Sequence, residues 1–462
     1  MSTSKLNIII LAAGQGSRMK SRLPKVLHPL AGQPLLRHVI NTARKLNPEH
    51  IVVVYGHGGE QVPAAIKGDD LIWVQQQEQL GTGHAVAQAM PEVDDDSTVL
   101  VLYGDVPLTR QDSLVALARD GVNSFALMTV RLDDPTGYGR IVRNEQNDVT
   151  HIVEHKDASA EEHKINEVNT GILAANAGRL RGWLQALNNN NAQGEYYLTD
   201  VIAMSVADAV MIKTSHPDSD MEVLGVNSRT QLAMLERTYQ RQQAEALMEQ
   251  GVTVIDPARL DIRGEIDIAQ DVILDINVVL VGKVSIGEGV YVGPGCVIKD
   301  ATIAEGVQIQ AHCVIDQATV GVDAIIGPFA RLRPGAALSA NTHVGNFVEI
   351  KNSVVGEASK INHLSYVGDS DIGARVNIGA GVITCNYDGA YKHRTTIGDD
   401  VFVGSDCQLV APVKIGNGAS LGAGTTLTRD APAAELTLSR AKQKTVKGWK
   451  RPTKKGRGTS GK

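Results

Sequence analysis

An α/β domain built on a mostly parallel sheet, joined by a helix to an all-β left-handed parallel β-helix, is the fold class this sequence predicts. Three observations predict it. Over the first ~228 residues, short β-branched runs at 8–11, 51–55, 98–103 and 125–130 alternate with segments of helical length, which is the pattern of βαβ units. Over 228–250 there is no Gly or Pro, Leu, Gln, Glu, Arg and Ala dominate, and Ser228 and Gly251 stand at the two ends as start and stop signals. Beyond them apolar residues recur every six positions: Ile286, Val292 and Ile298, then Ile303, Ile309 and Ile315, and after an interruption Ile397, Val403, Leu409, Ile415, Leu421 and Leu427.

The first element directs function to one end of the sheet, because parallel sheets bind ligands beyond the carboxyl ends of their strands. The second is a linker helix. The third follows because neither amphipathic helices nor alternating strands have period six; each apolar residue fills a corner of a triangular coil. The glycines that often follow (Gly287, Gly293, Gly398, Gly404, Gly416, Gly422) let the backbone turn without a Cβ clash. From Ile298 to Ile303 and from Ile315 to Val320 the period drops to five, which shortens a coil and keeps the face. The repeat is thrown open between Ile383 and Ile397, and loops thrown out of a repeat tend to carry function.

Composition bounds the rest. With 462 residues, 43 % hydrophobic and 21 % charged, the chain has room for two or three domains with full cores. The first apolar run, 8–13, is too short to span a membrane and ends in a polar glycine loop, so no membrane insertion is expected and a cytoplasmic location is. The cysteines Cys296, Cys313, Cys385 and Cys407 form neither a CxxC pair nor a zinc-type spacing, and read as reduced, packed thiols. Nine Lys or Arg and no acid fall in 442–462, so the remainder is more acidic than the net charge of −6 indicates. That run reads as a solvated, disordered tail, and the acidic body argues against nucleic acid as a partner.

Leu11, Ala12 and Ala13 lead from the first strand into Gly14-Gln15-Gly16-Ser17-Arg18-Met19, with Pro24-Lys25 following. Glycines here let backbone N–H groups approach phosphate, while Arg18 and Lys25 supply positive charge. Met19 stands where a dinucleotide fingerprint needs its third glycine, and no Gly-Lys-Ser/Thr Walker loop is present. The run over 98–103 ends in Tyr103-Gly104-Asp105, a carboxylate at a strand's carboxyl end. Together these resemble the signature of sugar-1-phosphate nucleotidylyltransferases, which implies a Rossmann-like nucleotidyltransferase fold and magnesium on Asp105 and Asn227. Arg18 and Lys25 are then catalytic. The same resemblance makes Gln76, Gly81 and Thr82 the uracil-reading loop, and puts Gly139, Glu154 and Asn169 in the sugar pocket.

From the glycine loop through the hexapeptide coils, nearly the whole chain resembles the family of bacterial bifunctional N-acetylglucosamine-1-phosphate uridyltransferases and glucosamine-1-phosphate acetyltransferases. The resemblance implies a uridylyltransferase domain over 1–228, the linker helix over 229–250, an acetyltransferase β-helix over 251–441 and the basic tail over 442–462. In the column Arg333, Lys351, Tyr366, Asn377 and Lys392 recur at roughly coil-length intervals, so several could share one side, and by resemblance they hold glucosamine-1-phosphate. His363 matches the catalytic base, and Ala380, Asn386, Tyr387, Ser405, Ala423 and Arg440 match the acetyl-coenzyme A site. Mg2+, acetyl-coenzyme A as acyl donor, UTP and a homotrimer are implied likewise, as is a product that feeds peptidoglycan and lipopolysaccharide synthesis. Departures are Gln15 and Ser17, where Lys and Thr are common, and Asn362, where Gly is usual before the histidine. A non-Gly residue at that point restricts the backbone unless it tolerates a left-handed conformation.

Two other readings stay open on sequence alone. One keeps the nucleotidylyltransferase and makes the β-helix a non-catalytic regulatory or oligomerising appendage; His363 and the Asn386-Tyr387 loop argue against it. The other is a trimeric scaffold that binds nucleotide-sugar without turnover, for which Arg18, Lys25 and Asp105 would be superfluous.

Overall fold

A computed structural model describes residues 5–14, 16–56 and 59–452. The departure at Gln15, the side chain of Ser17 and residues 453–462 of the tail lie outside the described residues. The chain divides into two compact units, Met1–Ala246 with Leu260–Gly264, and Leu247–Arg259 with Glu265–Lys462.

The first unit is a three-layer α/β structure. Its main sheet runs in the order Ile212–Ser215, Phe125–Arg131, Glu167–Asn176, Thr98–Tyr103, Leu6–Ala12, His50–Gly56, Leu71–Gln76. All neighbours are parallel except Glu167–Asn176, which runs antiparallel to the strands on both sides. Alternation of side chains across the pleat splits the apolar residues between two cores. Ile8 and Ile10 pack on Leu36, Val39 and Ile40 of helix Leu35–Arg44, and on Leu114 and Leu117 of helix Gln111–Gly121. Ile9 and Leu11 pack on the other face with Val86, Leu180, Trp183 and Ile202.

The helix over Arg229–Glu249 opens as expected, with Ser228 Oγ accepting from the N–H of Gln231 at 3.2 Å. It is no free linker. Leu235 is buried with Met19, Leu30, Leu35, Leu108 and Val226, and Glu236 accepts from the Ala31 N–H at 2.7 Å. Gln240 pairs both ways with the backbone of Ile262.

The second unit is a parallel β-helix. Short strands stack into parallel ladders, from Thr253–Val254 on Ile273–Leu274 to Ser420–Leu421 on Leu436–Thr437. Stacking thus begins and ends beyond the range in which the hexapeptide period is readable. All twelve residues that mark the period are 4 % exposed or less. The following glycines serve a purpose other than a turn. At Gly293 and Gly404 a Cβ would lie 2.9 and 2.6 Å from the backbone nitrogen of the next coil, so glycine permits close stacking. The left-handed corner positions are mostly taken by other residues. In one corner row they run Gly295, His312, Phe329, Phe347, Leu364, Gly381, all with φ between 48° and 76°.

The four cysteines are free thiols, three of them buried. Residues 442–452 are exposed and form neither helix nor strand. Among the described residues no helix is long and apolar enough to cross a membrane.

Candidate active sites

At the carboxyl ends of Leu6–Ala12, Leu71–Gln76 and Thr98–Tyr103 the first unit holds a cavity of about 300 Å³. Ten of the sequence candidates line it: Leu11, Ala12, Ala13, Gly14, Lys25, Gln76, Gly81, Thr82, Tyr103 and Asp105. Gly16 has φ +63°, and a Cβ there would come within 2.6 Å of Lys25 Cβ, so only glycine allows the loop to close on Lys25. Met19 is 1 % exposed and anchors the loop in the core, which is why no third glycine stands there.

The charged centre is compact. Lys25 Nζ donates to Asp105 Oδ2 and, at 3.2 Å, to Asn227 Oδ1, while Arg18 Nη2 donates to the same oxygen at 3.0 Å. Asn227 is carried there by backbone: Val226 N–H donates to the Asp105 carbonyl at 2.9 Å, and Asn227 N–H to Gln231 Oε1 at 2.9 Å. Asp105 and Asn227 therefore turn hard oxygen donors toward one position already favoured by a cation. That set fits a divalent ion held by one carboxylate and completed by substrate phosphates. Among the described residues no group of three or more His, Cys, Asp or Glu could hold a metal by itself.

Gly104, Gly139, Glu154 and Asn169 stand off this cavity. Gly104 ties two strands together, its N–H donating to the Leu11 carbonyl at 2.9 Å. Asn169 lies at a bulge, where its N–H donates to the Gly139 carbonyl and its Oδ1 accepts from Gly171, both at 2.9 Å. Together with Tyr103 and Thr199 it lines a small adjoining recess. The Thr199 hydroxyl donates to Glu154 Oε1 at 3.0 Å; burial raises the Glu154 carboxyl above its ordinary range, and that bond works against the shift. Burial, followed by the charges of Glu154 and Asp105, pushes the Tyr103 phenol upward as well.

Gln79, Glu195 and Thr199 were missed. Gln79 Nε2 donates to the Ala13 carbonyl at 2.5 Å, bridging the glycine loop to the Gly81 turn. Its position between Gln76 and Gly81 was the available signal. Glu195 had none, because the 195–198 segment reaches the cavity only through tertiary pairing, as in the bond from Gly83 N–H to the Tyr196 carbonyl at 2.9 Å.

On the column the candidates fall on two successive corners. His363, Ala380, Ser405 and Ala423 form one vertical row, linked by bonds from Gly381 N–H to the His363 carbonyl, Asp406 to Ala380 and Gly424 to Ser405; Arg440 Nη1 donates to the Ala423 carbonyl at 3.1 Å. Above His363 in the same row is Asn346, whose Oδ1 lies 3.0 Å from His363 Nδ1. With that oxygen accepting, Nδ1 carries the proton and Nε2 keeps its lone pair. Asn362 does not strain the row. It lies within strand Lys360–His363, and the left-handed residue is Leu364 with φ 48°. The close approach is borne by Gly345 in the coil before, where a Cβ would strike the Asn362 carbonyl.

The next corner is organised by Asp369, which sequence reasoning also missed. Asn352 Nδ2 and Asn386 Nδ2 both donate to it at 2.5 Å. Burial opposes its ionisation, but these two amides, with the charges of Lys351 and Lys392, hold the carboxyl below its usual range. Lys392 is lowered in turn by the close approach of the Lys351 ammonium and its charge. Tyr366 pairs in register with Glu349, which accepts from Arg333 at 2.7 Å. Asn386 thus belongs with Lys351, Tyr366 and Lys392 and not with the Ala380 row, and Tyr387, which pairs with Lys392, follows it. Asn377 does not share their side. It pairs with Lys360 and Phe402 in the other parallel sheet.

Family models match three stretches: MobA-like NTP transferase domain over residues 8–165, GMPPB C-terminal domain over 262–339, and bacterial transferase hexapeptide (six repeats) over 394–429. Among curated proteins, the bifunctional protein GlmU of Marinobacter nauticus is 60 % identical over 452 residues, covering 98 % of this chain and all of the relative. The GlmU proteins of Stutzerimonas stutzeri and Janthinobacterium sp. are 58 % and 57 % identical, over 97 % of this chain and 100 % and 99 % of their own lengths. Identity at this level, from end to end and across both units, means that the chain belongs to the bifunctional GlmU family.

Proposed function

We infer that the two activities of this family, uridyl transfer and glucosamine-1-phosphate acetyl transfer, are divided between the cavity of the first unit and the corners of the column. The chain acetylates glucosamine-1-phosphate with acetyl-coenzyme A and then joins the product to UMP from UTP, releasing pyrophosphate. The observation that carries the first assignment is the convergence of Lys25 and Arg18 on the Asp105 and Asn227 oxygens beside the cavity.

In uridyl transfer a phosphate oxygen of N-acetylglucosamine-1-phosphate attacks the α-phosphorus of UTP in line. A new P–O bond forms, and the bond to the β-phosphate oxygen breaks. The attacking phosphate is already ionised near neutral pH, so no general base is needed, and catalysis is positioning plus charge neutralisation. Asp105 and Asn227 would hold Mg2+, which when bound draws phosphate oxygens together and neutralises their charge. Arg18 and Lys25 stabilise the charge leaving on pyrophosphate. Gln76, Gly81 and Thr82 face the base; Gly139, Glu154 and Asn169 face the sugar.

In acetyl transfer the sugar amine attacks the thioester carbonyl: a C–N bond forms, the C–S bond breaks, and coenzyme A leaves as its thiol. The amine must lose a proton to react, and His363 Nε2 accepts it, its ring held by Asn346. Arg333, Lys351 and Lys392 bind the sugar phosphate, with Tyr366 and Asn377 on the sugar. Coenzyme A lies along Ala380, Ser405, Ala423 and Arg440, with Asn386 and Tyr387 completing the site.

This second site needs more than one copy of the chain, and we assign a homotrimer. The His363 row and the Asp369 cluster occupy different corners, and Asn377 lies in a different sheet from Lys351 and Tyr366. His312, Phe329 and Phe347 support the same reading. They stack at 5.0 and 5.4 Å between ring centroids, with Phe329 and Phe347 about half exposed, in a left-handed conformation that disfavours any side chain by about 1–2 kcal/mol. Exposed rings kept at such positions suit a contact between columns. A cytoplasmic location is supported by four cysteines without a disulfide among them.

The test is a mass-spectrometric assay of purified protein with glucosamine-1-phosphate, acetyl-coenzyme A, UTP and magnesium, each omitted in turn. N-acetylglucosamine-1-phosphate should accumulate without UTP, and nothing should form without acetyl-coenzyme A. Light scattering that finds a monomer active in acetyl transfer would remove the trimer.

A further inference from the structure

We propose that His84 determines which pyrimidine the nucleotide cavity accepts, by fixing the side-chain amide of Gln76. The inference rests on the reading of that cavity as the UTP site with Gln76 facing the base.

Gln76 ends strand Leu71–Gln76, lines the cavity and is 2 % exposed. Its amide nitrogen lies 3.1 Å from the Gly81 carbonyl oxygen and 3.1 Å from His84 Nδ1. A carbonyl oxygen only accepts, so the group facing Gly81 is the NH2, however an amide might otherwise be drawn. The second amide hydrogen points at His84 Nδ1, which must then be the unprotonated nitrogen of a neutral ring. The ring's hydrogen is then on Nε2, which lies 3.2 Å from Gln88 Nε2; unlike that of Gln76, the Gln88 amide is pinned by no carbonyl in this relay, and turned over it sets its oxygen there to accept.

The consequence is a relay from Gln88 through His84 to Gln76 and Gly81 in which both amide hydrogens of Gln76 are consumed inside the protein. Only Oε1 remains for a ligand. A base edge that meets it must bring an N–H, as N3–H of uracil does. Cytosine presents a lone pair at N3 and is repelled. An unrestrained glutamine would accommodate cytosine by turning its amide over. Here the turn would aim Oε1 at the Gly81 carbonyl and at the His84 lone pair, so both lock the orientation.

His84 is well placed for this and for little else. It is the third residue of helix Thr82–Ala89, whose first turn is clasped where Gly83 N–H donates to the Tyr196 carbonyl at 2.9 Å. It packs near the Tyr196 ring, centroids 6.4 Å apart, and does not itself line the cavity. It is a positioning residue, acting on the base only through Gln76.

The experiment compares kcat/KM for UTP and CTP, with N-acetylglucosamine-1-phosphate and magnesium, in the full-length protein and in His84→Leu, His84→Asn and Gln76→Leu. Acetyl transfer and thermal melting are followed alongside. His84→Leu should narrow the preference for UTP by on the order of ten- to a hundredfold, the worth of one buried polar mismatch, and leave acetyl transfer unchanged. His84→Asn, whose Oδ1 can accept where Nδ1 did, should retain most of the preference. His84→Ala repeats the test if the leucine variant does not fold. An equal loss for both nucleotides in His84→Leu, or an asparagine variant as unselective as the leucine one, overturns the proposal. Gln76→Leu separates the two levels of inference. If it abolishes the preference while His84→Leu keeps it, only the role of His84 falls; if Gln76→Leu leaves UTP kinetics and preference intact, the base-site reading falls with it.

Discussion

The two proposed sites are built in opposite ways. In the first unit, residues from the glycine loop and three strand ends meet around one cavity, and beside it cations are already bonded to the oxygen donors of Asp105 and Asn227. In the column, an exposed His363 stands on one corner and a buried Asp369 on the next, with Lys351 half-buried and Lys392 exposed beside it. A wound sheet gathers distant segments at its strand ends. A repeat moves along one axis, so residues far apart in sequence stack in rows without enclosing anything. The first kind of site is preorganised within one chain, whereas the second, in the proposed trimer, would acquire its walls from neighbouring copies. Substitutions should therefore separate the two activities cleanly.

The largest separation is expected from His363→Ala. Loss of a general base typically reduces rate by about 10²–10⁴-fold. Acetyl transfer should fall by that factor while uridyl transfer and the oligomeric state stay as they were. A variant that acetylates at near-normal rate across about pH 6 to 9 would make His363 structural.

Asp105→Ala is the mirror experiment. Removing one preorganised charge-stabilising group costs on the order of 10²-fold. Uridyl transfer should drop at least that far, with acetyl transfer unaffected, and the magnesium concentration needed for half-maximal rate should rise in Asp105→Asn. Full uridyl transfer in the alanine variant would dissolve the metal assignment and leave the column untouched.

Legibility differed between the units for physical reasons. The hexapeptide residues were readable because each of the three sides of a coil must turn an apolar residue inward, and all proved buried. The glycine loop was readable because Gly16 admits no side chain. Harder to see was the antiparallel strand Glu167–Asn176, since burial on both faces gives a parallel and an antiparallel strand the same apolar run. The partnership of helix Arg229–Glu249 with Met19 and Leu30 was equally hidden, because an apolar stripe does not say what it packs on. Asn346 and Asp369 escaped for a third reason. Each is an ordinary polar residue of its own coil and gains meaning only from the coil above or below, to His363 in one case and to Asn352 and Asn386 in the other. Asn377 marks the limit of spacing as a guide: coil-length intervals let several residues share a side, but a coil has three, and Asn377 falls on another.

Asp369→Asn tests the second corner at smaller amplitude. Loss of a charge that holds two amides and faces two lysines should raise the KM for glucosamine-1-phosphate roughly tenfold, the scale of one charge-assisted hydrogen bond. Because the folded carboxyl is held below its usual range, its contribution to stability is complete above the unfolded pKa and is lost as pH falls through the lower folded value. The difference in melting temperature between the parent protein and the variant should therefore persist from neutral pH down to about pH 4 and shrink only below it. A difference that instead grew on acidification would mean the carboxyl is not held down in the folded state.

The smallest effect should come from Asn346→Ala. This residue accepts no proton and touches no proposed substrate group; its Oδ1 engages His363 Nδ1 at 3.0 Å, from the coil before. What it supplies is the choice of tautomer and the direction of the ring, and both are partly recoverable. Water can take the Nδ1–H, and Gly381 still fixes the His363 backbone from below. A lone neutral hydrogen bond is worth about 1 kcal/mol, which corresponds to a loss of about fivefold in acetyl transfer. The loss should fall on kcat, since ring orientation governs proton transfer and not the hold on the sugar phosphate, and Asn346→Asp should recover kcat because a carboxylate accepts from Nδ1–H at least as well. A rise in KM with unchanged kcat would instead put Asn346 on the substrate, and the open corner would then be nearer to a closed pocket than the row geometry implies.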